Sequence, residues 1–456
     1  MDRRAFLASL AAGTLGIACG PREARVPARR PNLLFILADD LGYADLSSYG
    51  RSDYETPNID ALIAQGVRFG NAYTAASTCT PTRVGFMTGR YPQRYDPSLQ
   101  SPLPWGQPPG TLPAAGLAAS NPTLPALLKR AGYETALIGK WHLGFRPEFG
   151  PPRHGFDEFF GIKGGGADYF THTGRTGLLD LWDGEVTVER AGYLTDLLSD
   201  HAAEYVTRRH DAPFYLSLHY NAPHWPWEGP ADRHGPNPTH HFVEGGSKET
   251  YAAMMRSLDE GVGRVMAALA RSGKDRETLV IFTSDNGGER WSDNRPWSDS
   301  KFSLREGGIR VPAALRWTDR IPAGGSTDAL AISMDWTTTL LAAAGATADE
   351  RFPLDGVDLL PAALGTAAAG DRTLFWRQPY PPATPHAAAR RGNRKYLRIG
   401  TTEHLFDLDA DPGEKTDVKD RFAADFEALR ESWRAWNEQM IPIPEQNAQP
   451  AQAAGR

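Results

Sequence analysis

Cysteine is nearly absent from this chain. Its 456 residues contain two, Cys19 and Cys79. Cys19 falls in a leader-like segment, so Cys79 has no partner, and a disulfide framework is excluded as the source of the fold. Long apolar runs are lacking too. None after the N-terminal segment is long enough to cross a bilayer as a helix. A basic excess is also missing: 49 Lys and Arg stand against 55 Asp and Glu, a net charge of −6. Nucleic acid is thereby excluded as the partner, because binding phosphates needs a positive field. There is no internal repeat. Glycine and proline are plentiful, 46 and 36, which predicts many long loops, where sites tend to lie. The length predicts one large domain plus a smaller one.

The N-terminus reads as a targeting segment. Arg3-Arg4-Ala5-Phe6-Leu7, followed by an apolar run to Ala18, resembles a twin-arginine export signal. The run is too short to span a membrane, so it is a signal and not an anchor. Residues 1–30 are read as export signal and linker, and the expected location is the periplasm. Cys19 leaves two alternatives, lipidation and plain cleavage nearby. A lipid there is the only membrane contact expected.

Four short apolar runs read as buried strands with both faces covered, as in a parallel sheet. They are Pro31–Ala38, Thr135–Ile138, Phe214–Leu218 and Thr278–Thr283. Helical patterns alternate with them over Asn58–Gln65, Leu124–Ala131, Tyr193–Arg208 and Tyr251–Ser272. In the last, Met254, Met255, Leu258, Val262, Val265, Met266 and Leu269 recur at helical spacing and are expected to pack in the core. The class is therefore α/β. Past about residue 370, Thr373–Trp376, Lys395–Ile399 and His404–Leu408 predict a small antiparallel sheet. Phe422, Phe426, Leu429, Trp433 and Trp436 mark one face of a closing helix. The expected division is 31–370 for a catalytic domain, 371–440 for the smaller unit and 441–456 for a disordered tail.

Each buried strand ends in polar residues, and in open α/β sheets the ligand crevice lies outside those ends. Asp39-Asp40 follow the first strand and Asp285-Asn286 the last. If the two strands are neighbours, three carboxylates meet, and they cannot all stay ionised without a cation. Oxygen-only ligation indicates calcium or magnesium, not zinc. Cys79 stands in Thr78-Cys79-Thr80-Pro81-Thr82-Arg83, a poor context for a core residue. Val84–Thr88 is expected to begin a helix whose amides attract an anion, with Arg83 adding charge.

Cys79-Thr80-Pro81-Thr82-Arg83 with Thr88-Gly89-Arg90 resembles the first signature of the sulfatase family, C-x-P-S-R followed by T-G-R. Gly132–His142 resembles the second signature nearly residue for residue. Ala222-Pro223-His224, Ser284–Gly287, and Lys301 with Arg305–Pro312 resemble further blocks, all in family order. The resemblance implies an alkaline phosphatase-like fold: a large, mainly parallel sheet between helices, with a smaller C-terminal sheet and helix. It implies that a formylglycine-generating maturation enzyme oxidises Cys79 to 3-oxoalanine (formylglycine), whose hydrate attacks sulfur. Thr82 departs from the commoner serine but leaves the Cys, Pro and Arg intact. Asp39, Asp40, Asp285 and Asn286, with position 79, are implied as ligands of calcium rather than magnesium. His224, helped by Lys301, is implied to protonate the leaving oxygen. Arg83, Lys140 and Lys301 would meet the charge on the transferring group. His142 would take the second hydroxyl proton as the covalent sulfate is expelled.

The implied substrate is a sulfated saccharide or an aryl sulfate. Trp141, Trp225, Trp227, Trp291 and Trp297 lie near the motifs and suit either. Gly164–His172 resembles a pocket-side loop of arylsulfatase and N-acetylgalactosamine-6-sulfatase relatives. His172, His201, His240 and His241 are expected at the surface or in substrate loops. Two other readings stay open: a phosphoester hydrolase of the same superfamily, and an inactive polysaccharide-binding relative.

Overall fold

A computed structural model describes residues 30–104, 115–232, 244–366, 371–379 and 384–443. The export signal with Cys19, His240 and His241, and the tail beyond residue 443 lie outside the described residues.

One ten-stranded sheet organises the larger part. Its strands are β1 (Asn32–Ala38), β2 (Val67–Tyr73), β3 (Glu134–Gly139), β4 (Glu158–Gly161), β5 (Trp182–Asp183), β6 (Val186–Thr187), β7 (Phe214–His219), β8 (Thr278–Ser284), β9 (Ala313–Trp317) and β10 (Gly325–Ile332). The order is β10-β2-β9-β8-β1-β7-β3-β4-β5-β6. From β8 to β4 all neighbours are parallel; β9 runs against both of its neighbours. The four runs expected as buried strands are β1, β3, β7 and β8, side by side at the centre. Of the strands of this sheet that periodicity missed, β2, β9 and β10 lie on one flank and β4, β5 and β6 on the other. The edge strand β10 alternates exposed and covered positions over its first half, so its sequence lacks a continuous apolar run.

Side chains alternate across β1, and the two sets enter two different cores. Leu34 and Ile36 pack with α1 (Pro57–Ala64), α4 (Leu194–Thr207) and α5 (Lys248–Arg271). Leu33, Phe35 and Leu37 pack on the other face with α2 (Cys79–Thr88), α3 (Leu124–Arg130) and α6 (Ser333–Ala344). Phe35 stacks on Phe86 of α2 at 3.9 Å. Truncating such a ring to alanine typically costs about 3–5 kcal/mol. Met254 and Met255 of α5 are buried core residues, as their spacing predicts.

β11 (Thr373–Gln378), β12 (His386–Arg391), β13 (Arg394–Ile399) and β14 (Thr402–Asp407) form an antiparallel sheet that α7 (Ala423–Glu438) covers. This small sheet shares an apolar cluster with Tyr73, Ala75, Ile309 and Ile332 of the larger part. A charged seam lies beside it. The Lys395 ammonium sits between two buried acids, 2.8 Å from Glu306 and 3.0 Å from Glu414. Removing it leaves Glu306 with Arg310 and Arg390, at 3.2 and 3.6 Å, and takes from Glu414 its lysine partner. Lys395→Met is therefore expected to destabilise the fold by about 3–5 kcal/mol in urea unfolding. A loss below about 1 kcal/mol would mean that Arg310 and Arg390 already carry the balance of charge at this seam.

Candidate active site

The site lies at the carboxyl edge of the central strands. β1 and β8 pair in parallel with Ala38 beside Ser284, so the residues that follow, Asp39-Asp40 and Asp285-Asn286, emerge together. The Asp40 amide donates to Asp285 Oδ1 at 3.2 Å, and Asn286 Nδ2 donates to Asp40 Oδ1 at 2.6 Å. Lys140 leaves the end of β3 and donates to Asp39 Oδ2. Gly139 before it has φ of +115°, and a Cβ there would strike the His219 carbonyl oxygen. Only glycine lets β3 pass β7 so closely.

Cys79 is the first residue of α2, not a loop residue ahead of it, and the helix is buried throughout. This corrects both the expected helix start and the expected polar context. Pro81 sits in the first turn, where a missing N–H costs nothing. The helix therefore starts five residues earlier than Val84. The Cys79 thiol lies 3.6 Å from Asp39 Oδ1. Burial pushes its pKa up, against the pull of Lys140 and Lys301.

Arg83 is wholly buried and committed. Its Nε and one terminal nitrogen donate to Asp285 Oδ2 at 3.1 and 2.9 Å, and the other donates to the Lys140 carbonyl at 2.9 Å. Lys301 donates to Asp40 Oδ2 at 2.7 Å. His224 Nε2 lies 3.7 Å from that same oxygen, and its Nδ1 is 2.6 Å from the Trp225 carbonyl. His142 places Nε2 3.1 Å from the Leu103 carbonyl, which selects the Nε2–H tautomer. Its Nδ1 has no hydrogen-bond partner among the described residues. Gly165 lies against this ring; a Cβ there would come within 2.7 Å of Cε1. Asp40 and His142 both hold positive φ, 62° and 54°, a conformation that costs energy and clusters at functional sites.

The electrostatics are those of crowded acids among cations. Burial, and next the charge of Asp285, push Asp39 up to about 8. Burial acts the same way on Asp285, but Arg83, Lys140 and Lys301 together hold it below the usual carboxylate range. Burial, then Lys301 and Lys140, hold His224 well below its ordinary value. His142 is likewise held low by burial and then by Lys140.

Every sequence-predicted site residue reaches this cluster: Asp39, Asp40, Cys79, Arg83, Lys140, His142, His224, Asp285, Asn286 and Lys301 are all buried in it. Asp39, Asp40, Cys79 and His224 bring ligand atoms within 4.8 Å of one another. The oxygens fit a hard divalent cation. Asn286 Oδ1 is buried with no hydrogen-bond partner among the described residues, and the acids repel one another as a set that a cation would relieve.

Other expectations fall differently. Trp141 is a core residue bonded to the Phe149 carbonyl, and Trp227 is also buried; neither offers a face to a sugar. His172 is buried and bonded to the Gly192 carbonyl, and His201 stacks on Phe160. His172 stands in a loop but away from the surface, and His201 stands half-buried on α4 rather than in a loop.

Several residues escaped the sequence reading. His219, at the end of β7, faces Arg83 at 3.2 Å. It alternates with Ser217, a polar pairing that a fully apolar strand would not carry. Glu289 accepts from Trp225 Nε1 at 2.9 Å and lies 3.8 Å from Lys301. Gln378 of β11 bonds Ser77 and the Phe302 carbonyl, bracing the neighbours of Cys79 and Lys301. Its role depends on contacts across 301 residues, which no local pattern reveals.

Tyr169 carries a further support. Its hydroxyl donates to the carbonyls of Asn221 and His224, and its amide donates to Glu228. Burial, and next the charge of Asp168, push Glu228 up to about 8. The folded chain then keeps a proton that the unfolded chain releases near its ordinary carboxyl value. Stability is expected to fall by about 2 kcal/mol from about pH 6 to about pH 8. Thermal unfolding of Glu228→Gln across that range should lack this component of the fall.

Comparison with known proteins gives a consistent picture. A family model described as Sulfatase matches residues 31–346. The chain is 33% identical over 368 residues to N-acetylgalactosamine-6-sulfatase of Homo sapiens, covering 76% of this chain and 68% of that protein. It is 33% identical over 457 residues to arylsulfatase A of Homo sapiens, covering 85% and 83%. Among solved structures it is similar to Ps i-CgsB in complex with k-i-k-neocarrahexaose. The TM-score is 0.80 and the identity 32%, over 90% of this chain and 93% of that one.

Proposed function

The chain belongs to the sulfatase family and is a sulfuric ester hydrolase; from that premise we propose that it cleaves a sulfate ester of a carbohydrate, with position 79 as the nucleophile after Cys79 has been oxidised to formylglycine. The observation that carries this reading is the single buried cluster in which Cys79 meets Asp39, Lys140, Lys301 and His224. Burial that pushes the thiol pKa up keeps an unmodified Cys79 protonated and inert. The hydrated aldehyde would supply a hydroxyl in its place.

Asp39, Asp40, Asp285 and Asn286 would hold the calcium ion, with the oxygen at position 79 completing the set. When bound, such a cation neutralises sulfate oxygens and lowers the pKa of the hydroxyl at position 79. The protein groups do the rest. Lys140 and Lys301 set positive charge where the transferring group gains negative charge. Arg83 fixes Asp285, the Lys140 carbonyl and His219 through its nitrogens, and its buried charge adds to that of the two lysines. His224 Nε2 gives the leaving oxygen its proton. His142 has Nδ1 free to receive one. The carbohydrate reading follows Ps i-CgsB, whose complex holds a neocarrahexaose.

Cys79, Pro81 and Arg83 are buried, so a maturation enzyme that reads these residues must act before the chain folds. Export of the folded product by the twin-arginine route to the periplasm belongs to this proposal and rests on Arg3-Arg4. The test is mass spectrometry of the tryptic peptide Phe69–Arg83 together with sulfate release from a sulfated oligosaccharide. Unmodified cysteine in a protein that releases no sulfate would sink the reading.

A chelator is expected to lower activity by at least about 100-fold, with calcium restoring it better than magnesium, because calcium tolerates an irregular oxygen set. Full activity after exhaustive chelation would exclude a cation from the reaction.

A further inference from the structure

Beyond the catalytic cluster, a cavity of 650 Å³ opens beside the first turns of α5 and the loop that follows Asp285-Asn286. Five cationic and three acidic side chains line it. Arg51 is paired with Asp53, and Arg295 with Asp293. Lys248, Arg256 and Arg290 form no ion pair among the described residues, and Glu249 is the remaining acid facing them. A concave surplus of positive charge runs against the net charge of −6. Exposed cations alone are an ordinary solvated surface. Here they surround a hollow with an indole wall, Trp291, over which Arg290 sits at 5.0 Å.

The cavity lies on the same side of the sheet as the site. α5 is the return crossover between parallel β7 and β8, so it starts at their carboxyl edge. One loop then faces both ways. Glu289 reaches Lys301 and the Trp225 indole, whose ring is 4.5 Å from that of His224. The next residue, Arg290, lines the cavity. The contacts from His224 through Trp225 to Glu289, and then Arg290, link the catalytic ring to the cavity wall.

Resting on the sulfatase reading above, we propose that this cavity is a subsite for a second anionic substituent, a sulfate ester or a uronate carboxylate, on a sugar next to the one whose ester is cut. Guanidinium and ammonium groups bind either anion through charged hydrogen bonds, and the Trp291 face suits the ring between them.

The test is calorimetric titration of the full chain carrying Cys79→Ala, which binds without turnover. Three defined saccharides of one length are compared: one bearing a single sulfate, one with sulfates on adjacent sugars, and one with a sulfate beside a uronate. The second anion is expected to tighten binding at least about tenfold. Adding Lys248→Gln and Arg256→Gln should abolish that gain and leave affinity for the singly sulfated saccharide within about twofold. Whichever doubly charged ligand shows the gain identifies sulfate or carboxylate. Equal affinities for all three, or a gain that survives the double substitution, would overturn the subsite. Sulfate release from the singly sulfated saccharide by the unsubstituted enzyme reads the catalytic proposal separately: a binding gain without release keeps the subsite and discards the reaction.

Discussion

Replacing Cys79 with alanine is expected to lower kcat/KM for any sulfate ester by at least about 10⁴-fold, because the nucleophile disappears. The fold should barely notice. Among the described residues the sulfur hydrogen-bonds Asp39, at 3.6 Å, and losing one small buried atom costs roughly 1–2 kcal/mol. Activity and stability are thus separated at one residue. Cys79→Ser sharpens the result. Serine is nearly the same shape and brings a hydroxyl, but it lacks the thiol that oxidises readily. It should therefore be as inactive as the alanine variant in a host that converts cysteine only. A serine variant with near-normal turnover would mean that an ordinary side-chain nucleophile suffices, and the aldehyde would be unnecessary.

His224→Ala should divide substrates by their leaving groups. A sugar alkoxide needs a proton as it departs, so loss of the acid is expected to cost about 10²–10⁴-fold. An activated phenolate leaves unaided, and its rate should fall by less than about tenfold. The geometry favours this role. The Trp225 carbonyl fixes one ring nitrogen and directs Nε2 toward Asp40 and Lys301, while Tyr169 steadies the backbone of His224. Burial and the two lysines hold its pKa well below the ordinary value. An anionic ester beside it offsets those lysine charges and raises it toward use. Equal losses on sugar and aryl esters would assign His224 to positioning the acids instead of to proton transfer.

Much of the site is legible in single strands. β1, β3, β7 and β8 are continuous apolar runs because both of their faces are covered, and each ends in polar residues. Those ends carry Asp39, Asp40, Lys140, Asp285 and Asn286. β2 escaped because Arg68, Gly70 and Asn71 break its pattern, and most of its inward residues meet cores that other segments complete. The start of α2 escaped because the helix was expected only from Val84, although the first turn accepts Pro81. Glu289 and Gln378 belong to no motif, and the contacts that tie them to the site reach Trp225, Ser77 and Phe302, far from them in the chain.

By itself, then, the sequence determined the residue types, their order and their places at strand ends, because local apolar patterning sets strands and motif spacing survives without a fold. Only the tertiary structure decided that they meet. Asp40 and Asp285 are 245 residues apart, and their approach depends on β1 lying beside β8 in a particular register. Burial also belongs to the fold. Two carboxylates, a thiol and two imidazoles acquire their shifted pKa values from the water they lose and the charges they face, and neither is encoded at any one position.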